Sequence, residues 1–263
     1  MPAQYEVIAV RYGLMESTRS DSYYRYDVYG EPDGPAALDY FFWVVRDGST
    51  TMLVDTGYHP DALANRPGRV CITPPLEALA RLGIAAESVS RVIVTHFHFD
   101  HTGNVAAFPN ARITVQRREL DFWLGPHGGR PAMAASVEQG EIDFLRRACE
   151  DGRVDVLDGD APVAPGISAR LVRGHCPGQQ IVVVDNDPPV VLASDALHFY
   201  EEMERYMPYQ VLSDVPGMYR TYDILRELRA RAGAVIVAGH DPDVMARFAD
   251  MDEKNPGLAV LPR

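Results

Sequence analysis

One segment constrains this chain more than any other: Thr95-His96-Phe97-His98-Phe99-Asp100-His101. Four of the six residues from His96 to His101 are side chains that bind hard or borderline metals. In an extended segment, alternation sends residues 96, 98 and 100 to one side, and His101 then turns toward the other. Three imidazoles and a carboxylate at that spacing point to a metal far more specifically than a lone histidine would.

Other ligand types follow a rule. Four apolar runs each deliver one at the carboxyl end: Val92–Thr95 ends at His96, Leu171–Gly174 at His175, Val191–Ser194 at Asp195, and Val235–Gly239 at His240. If the runs are strands pointing the same way, these residues converge on one rim, where α/β sheets hold their sites. His96, His98, Asp100, His101, His175, Asp195 and His240 are too many for one tetrahedral zinc. They suffice for two metals, roughly 3.5–4 Å apart, that share a carboxylate, hold a bridging hydroxide and polarise a carbonyl. Neutral imidazoles and carboxylates suit Zn²⁺, Fe or Mn²⁺. Cys176 directly follows His175, and adjacent residues seldom reach one ion, so it reads as a small packed thiol.

The rest of the chain reads as mixed α/β. Short Val- and Ile-rich runs suit buried strands: 7–10, 40–45, 51–54, 92–94, 112–115, 167–172, 181–184, 190–193 and 235–237. Arg46-Asp47-Gly48-Ser49 reads as a hairpin turn. Helical patterns open at Thr73, taken as a cap before Pro74-Pro75, and run over 136–149 and 218–231. Residues 13–39 and 197–217, rich in Tyr and Pro, fit neither period and read as aromatic loops able to wall a binding site. The 263 residues read as one domain spanning 1–263. The net charge of −12 argues against nucleic acid as partner and for a small-molecule substrate. No run approaches the roughly 18 apolar residues of a membrane span, and the first residues lack the pattern of a secretory signal. Three scattered cysteines do not make a disulfide framework. A cytoplasmic protein, monomer or homodimer, is expected.

His96-x-His98-x-Asp100-His101, His175, Asp195 and His240, in that order and at those separations, resemble the metallo-β-lactamase superfamily. Asp55 in Leu53-Val54-Asp55-Thr56-Gly57 is similar to its early Asp-x-Gly element. The resemblance spans nearly the whole chain. Within the superfamily the chain looks most like the lactonase branch, the N-acyl-homoserine-lactone hydrolases and pyridoxolactonase-like enzymes. Three stretches carry this: Thr95 to Asn104, Val115-Gln116-Arg117-Arg118-Glu119, and Gly174-His175-Cys176-Pro177-Gly178.

The resemblance implies an αβ/βα four-layer sandwich, two mixed β-sheets flanked by helices, with metals at the edge between the sheets. It implies that His96, His98 and His175 hold one ion, that Asp100, His101 and His240 hold the other, and that Asp195 bridges them. It also implies a hydrolase that opens a lactone ring, with Asp100 able to pass a proton to the leaving oxygen. The alternatives on this scaffold are a glyoxalase-II-like thioesterase, a β-lactam, amide or other ester hydrolase, and a di-iron redox protein. The lactonase motif usually continues Gly-His-Ser-Pro-Gly-His, whereas Cys176 and Gln179 stand here at the Ser and the second His. Lactonases place a Tyr three residues after the bridging Asp. His198 occupies that position and Tyr200 follows, which makes both candidate catalytic residues. Asp55 reads as a residue that fixes a turn or a ligand. His59 and His127 read as surface positions, and Phe122 and Trp123 as core residues that could also line a pocket.

Overall fold

The computed structural model describes residues 4–250 and 257–262. Among them, fourteen strands form: β1 (Glu6–Thr18), β2 (Pro35–Arg46), β3 (Thr51–Val54), β4 (Arg69–Cys71), β5 (Val89–Ile93), β6 (Arg112–Gln116), β7 (Val154–Leu157), β8 (Ala161–Ala164), β9 (Ile167–Leu171), β10 (Gln180–Val184), β11 (Val190–Ser194), β12 (Val235–Ala238), β13 (Ala249–Asp250) and β14 (Leu258–Val260). One sheet has the order β13-β14-β1-β2-β3-β5-β6-β7, with β4 also paired to β1. Its β3, β5, β6 and β7 are mutually parallel. The second sheet has the order β12-β11-β10-β9-β8. It is antiparallel from β8 to β11 and parallel between β11 and β12. Strands β9, β11 and β12 therefore run the same way.

The helices are α1 (Arg19–Ser22), α2 (Pro75–Arg81), α3 (Phe99–Thr102), α4 (Arg117–Trp123), α5 (Pro131–Ala134), α6 (Gln139–Glu150), α7 (Tyr200–Arg205), α8 (Val215–Ala232) and α9 (Asp243–Arg247). Strand alternation sorts the core into two parts. Val7, Ala9, Phe41, Trp43 and Val54 face the second sheet, where they meet Ile181, Val182 and Leu192. Ile8, Val10, Phe42, Val44 and Leu53 face the other way, onto Leu79 of α2, Leu120 of α4 and Leu145 of α6. Met218, Tyr222 and Leu225 of α8 belong to the first of these clusters. The expected sandwich of two mixed sheets flanked by helices is present. Strand β2 is buried without interruption from Leu38 to Val45 because both of its faces are covered. Each fully buried Val, Leu, Ile or Phe there contributes about 1.5–3 kcal/mol relative to exposure.

The hairpin at Arg46–Thr51 forms as read. Several boundaries differ from the sequence reading. Residues 13–18 and 35–39 are strand, because β1 and β2 continue pairing from Leu14↔Asp39 out to Thr18↔Pro35. The stretch between them holds the short helix α1 and loop. Helix α2 has Pro74 at its cap position and no side-chain cap, and Leu76 is exposed rather than core-facing. Helix α6 starts at Gln139 because Ser136 is already engaged: its carbonyl accepts from the Phe99 N–H. The 197–217 stretch contains α7 and the start of α8, which begins three residues before Met218.

The two aromatic segments are tied together. Tyr23 and Tyr209 form a β-bridge. Arg19 of α1 grips Glu201 of α7 with two nitrogens at 2.9 Å, and Tyr23 Oη donates to the same carboxylate at 2.8 Å. The Arg19 hydrogen bonds, helped by Tyr23 and Arg205, hold the Glu201 carboxyl down at about 2. A depressed folded pKa contributes stability above the ordinary carboxylate value and loses it as pH falls through the folded value. Glu201 is partly solvated, so screening keeps the effect to about 1 kcal/mol or less. Thermal melts should therefore place Glu201→Gln below the parent protein at pH 7, with the gap closing between pH 4.5 and about 2.

Candidate metal centre

The rim anticipated from the four apolar runs exists. β5 feeds Val94-Thr95 and then His96, β9 leads to His175, and β11 and β12 end directly before Asp195 and near His240. His98 caps the short helix α3, which carries Asp100 and His101. All seven side chains are buried. Two backbone positions here are left-handed without being glycine: Asp55 at φ 62° and Ser194 at φ 49°. Each such residue costs on the order of 1–3 kcal/mol, and such strain gathers at functional sites.

Asp195 sits at the centre. Its Oδ2 lies 3.3 Å from His175 Nε2 and 3.7 Å from His96 Nε2. Its Oδ1 lies 3.1 Å from His101 Nε2 and 3.0 Å from His240 Nε2. Asp100 Oδ2 is 3.7 Å from His101 Nε2 and 3.8 Å from His240 Nε2. His98 Nδ1 is 2.9 Å from His175 Nε2. The side chains thus fall into two groups that could each hold an ion: His96, His98 and His175 on one side, and Asp100, His101 and His240 on the other. Asp195 turns one oxygen to each.

Contacts behind the rings decide which nitrogen points inward. His96 Nδ1 meets Thr95 Oγ1 at 3.1 Å, and His101 Nδ1 meets Asp55 Oδ2 at 2.8 Å. His175 Nδ1 donates to the Val211 carbonyl at 2.7 Å, and His240 Nδ1 to the Asp39 carbonyl at 2.8 Å. With Nδ1 so engaged, each of these four rings presents an Nε2 lone pair to the centre. His98 is reversed: its Nε2 lies 3.3 Å from Cys176 Sγ, which leaves Nδ1 facing inward. His96 Nε2 and His101 Nε2 are fully enclosed and have no hydrogen-bond partner. Buried polar atoms are rarely left so. A divalent cation fits this donor set, because it would take the orphaned lone pairs and neutralise both carboxylates. Asp55 matches its reading as a fixing residue, since it also accepts from the Thr95 backbone and hydroxyl at 2.8 and 2.7 Å.

A second buried carboxylate holds the ligand loops together. Glu119 Oε1 accepts from the Phe97 N–H at 3.0 Å and from Trp123 Nε1 at 2.7 Å; Oε2 accepts from the Gly178 N–H at 2.9 Å. Cys176 also bonds to it. One side chain thereby joins the loop of His96 and His98 to the loop of His175. Gly178 must be glycine for this approach, because a Cβ there would lie 2.1 Å from the Glu119 backbone nitrogen. Cys176 is a buried thiol sandwiched between Glu119 and His98. Burial, then Glu119 and Asp195, push its pKa well up, so it sits as the thiol.

The centre forms the floor of a cavity of 150 Å³. His198 lines it, with Nε2 3.1 Å from Asp195 Oδ2 and its ring stacked 4.0 Å from Tyr209. Burial pulls this imidazole down, but Asp195 and Glu202 outweigh it and raise it to about 9. Tyr200 lies elsewhere. As the first residue of α7 it turns into the core cluster beneath the Arg247 guanidinium, 3.7 Å from its ring, and does not line the cavity. Tyr209, a member of the aromatic loop singled out in the sequence, lines it instead, as does Tyr40. Trp123 and Phe122 pack in the outer core, with Trp123 edge-on to His98 at 5.9 Å. Gln179 is buried, and His59 and His127 are exposed.

Burial drives His96 and His175 well below the usual imidazole range, and His98 to about 4. His101 moves the other way: burial disfavours its charge, but Asp195, Asp100 and Asp55 outweigh burial. For Asp195, burial opposes ionisation, and His101, His240, His198 and His175 overcome it, holding the carboxyl well below its ordinary range. Replacing Glu119 with Ala would strand the Phe97, Trp123 and Gly178 donors, each worth about 1–3 kcal/mol when buried unsatisfied. Denaturant unfolding should show a loss of about 3 kcal/mol or more, and titration should show weaker metal binding, while Glu119→Gln should retain part of both.

Comparison with known proteins agrees with this geometry. Residues 38–240 match the sequence profile of the metallo-beta-lactamase superfamily. The N-acyl homoserine lactonase AttM of Azorhizobium caulinodans is 30% identical over 189 residues, covering 67% of this chain and 65% of that protein. AttM of Agrobacterium fabrum is 30% identical over 184 residues, covering 68% of each. The match thus spans about two thirds of the length of these relatives. Among solved structures, a quorum-quenching N-acyl homoserine lactone lactonase superposes with a TM-score of 0.78 at 23% identity, covering 95% of this chain and 97% of that one. The dizinc quorum-quenching lactonase AidC superposes with a TM-score of 0.73 at 15% identity, covering 100% and 96%. These superpositions bear on the fold. With more than half of its length matched and its buried histidines and aspartates gathered at one sheet edge, the chain belongs to the metallo-β-lactamase superfamily.

Proposed function

We propose that this chain is a metal-dependent hydrolase that opens lactone rings. One observation carries the reading: five inward-facing imidazole nitrogens and the Asp100 carboxylate gather around Asp195 at the floor of an open cavity. The relatives named as N-acyl homoserine lactonases supply the reaction class. Two ions, most simply Zn²⁺ with Fe or Mn²⁺ also compatible with the donors, would be held by His96, His98 and His175, by Asp100, His101 and His240, and by Asp195 between them. When bound they supply Lewis acidity, polarising an ester carbonyl and making water nucleophilic near neutral pH.

The chain's own residues divide the remaining work. His198 and Tyr209 stand side by side at the cavity wall as hydrogen-bond donors toward a carbonyl oxygen that gains charge. Asp100, whose carboxylate reaches the cavity surface, takes a proton at Oδ2 and returns it to the departing ring oxygen. Glu202 supports His198, with Oε1 3.4 Å from its Nδ1. Tyr222 Oη donates to the other Glu202 oxygen at 2.6 Å. The reading takes residues 1–263 as one unit, a monomer or homodimer without nucleic-acid partners. No described helix is long and apolar enough to cross a membrane, and three free cysteines suit a reducing compartment such as the cytoplasm.

The test is metal analysis of the purified protein with a hydrolysis panel of lactones, thioesters and β-lactams. Turnover of a thioester or β-lactam far above every lactone would overturn the lactonase reading. Asp195→Ala should retain less than one ion per chain and lose activity; full metal content in that variant would sink the bridging role. His198→Ala and Tyr209→Phe should each lower kcat by about 100-fold, the scale of one lost oxyanion donor, with smaller changes in KM.

A further inference from the structure

We propose that Arg69 selects lactones that carry an anionic substituent, a carboxylate on a compact ring, rather than a long acyl chain. This rests on the hydrolase reading above and adds its substrate class. Two arginines line the cavity over the metal centre, and they differ in state. Arg66 is committed to the protein. It pairs with Glu138, donates to the Ala62 carbonyl at 2.9 Å and lies over the Phe99 ring at 4.0 Å. Arg69 is less so. Its guanidinium also faces the Phe99 ring, at 5.5 Å, and its Nε donates to Tyr40 Oη at 2.9 Å, but its terminal nitrogens have no hydrogen-bond acceptor and no carboxylate partner among the described residues.

A guanidinium with two free amino groups in a partly buried cavity is a bidentate seat for a carboxylate. The neighbourhood reinforces it. Arg69 is held by the short strand β4, which pairs with β1 through Arg69↔Met15, so its backbone is fixed by the sheet. Its charge is felt at Tyr209, where it opposes the burial-driven rise of the phenol. Among the described residues, no acidic side chain lines this cavity besides Asp100 and Asp195, and both face the candidate ions. With two divalent cations bound, the cavity would carry a surplus of positive charge.

Size points the same way. The cavity measures 150 Å³, well under the roughly 300–1,000 Å³ of sites for drug-sized ligands. Its apolar wall is short, contributed by Leu38, Phe99, Ala135 and Val211. A five- or six-membered ring with one carboxylate matches it. On hydrolysis the acyl–oxygen bond of the ring breaks, the acyl carbon takes the hydroxyl of water, and the ring oxygen takes a proton. The new acid ionises and releases one proton, so the product is a hydroxy dicarboxylate.

The test compares 5-oxotetrahydrofuran-2-carboxylate with its neutral carboxamide on the metal-loaded protein. The parent protein should favour the carboxylate by about 10- to 100-fold in kcat/KM, mostly through KM, as expected for a charge-assisted bidentate contact. Arg69→Met should bring the ratio near one, and Arg69→Lys should keep part of it, with metal content unchanged in both. A ratio near one in the parent, or a ratio unchanged in Arg69→Met, would overturn the assignment of Arg69. If neither lactone is hydrolysed, the hydrolase reading is decided by the panel of lactones, thioesters and β-lactams, and calorimetric binding of the same carboxylate to the metal-loaded protein decides the inference separately. Weaker binding in Arg69→Met by a similar factor supports it, and equal binding overturns it.

Discussion

The carboxylate of Asp195 is the constraint around which the rest is arranged. It is buried between two sheets, and five imidazoles approach its two oxygens within 3.7 Å. An anion at that depth is tolerated only where opposite charge and hydrogen bonds compensate for lost water. The surrounding histidines come from β5 and its loop on one sheet, and from the ends of β9 and β12 on the other. The two halves cannot slide against one another without uncovering this group. The left-handed Ser194 immediately before it shows how tightly the strand end is bent to bring it there. Gly239 lets β12 approach that same bend, since a Cβ would sit 2.6 Å from the Ser194 backbone.

Around this centre, the protein uses buried carboxylates as braces more than as reagents. Asp55 orients His101 and the Thr95 backbone, Glu119 links two ligand loops, and Glu202 stands behind His198. Each accepts several donors, which replace the hydrogen bonds to water that an interior carboxyl group gives up. Each also orients a ring or a loop, as a metal site requires of the groups behind it. Cys176 completes one such chain, because its thiol faces His98 on the nitrogen turned away from the centre.

The cluster of buried histidines and aspartates was legible in the sequence for two reasons. His96, His98, Asp100 and His101 share one short motif, while His96, His175, Asp195 and His240 each follow an apolar run, and strand ends on one side of a sheet converge. The strands themselves were legible where both faces are buried, as in β2 and β11. Short edge strands such as β4, β7 and β8 were not, because their residues are half-exposed and their pairing, not their composition, makes them strands. The cavity wall was harder still. Tyr200 lies close to Asp195 in sequence, yet α7 turns it into the core. Tyr209 reaches the wall through loop contacts made far away in the chain: its bridge to Tyr23, and the Tyr24 N–H bonded to the Pro208 carbonyl at 2.8 Å. Nothing local in the sequence announces that pairing. Arg69 was invisible for a similar reason, since only β4 pairing with β1 carries it to the cavity.

The order in which the ligands occur along the chain has a consequence for biogenesis. His96, His98, Asp100 and His101 are synthesised in the first half of the chain, whereas Asp195 and His240 arrive much later, His240 within the last tenth. Strand β14, which follows His240, then returns to pair with β1 at the very beginning. Neither trio meets the carboxylate of Asp195 until β11 of the second sheet has been made. A polypeptide ending before β11 would hold His96, His98 and His101 with Asp55 and Asp100 but without the central carboxylate that faces both groups, leaving one edge of the site open.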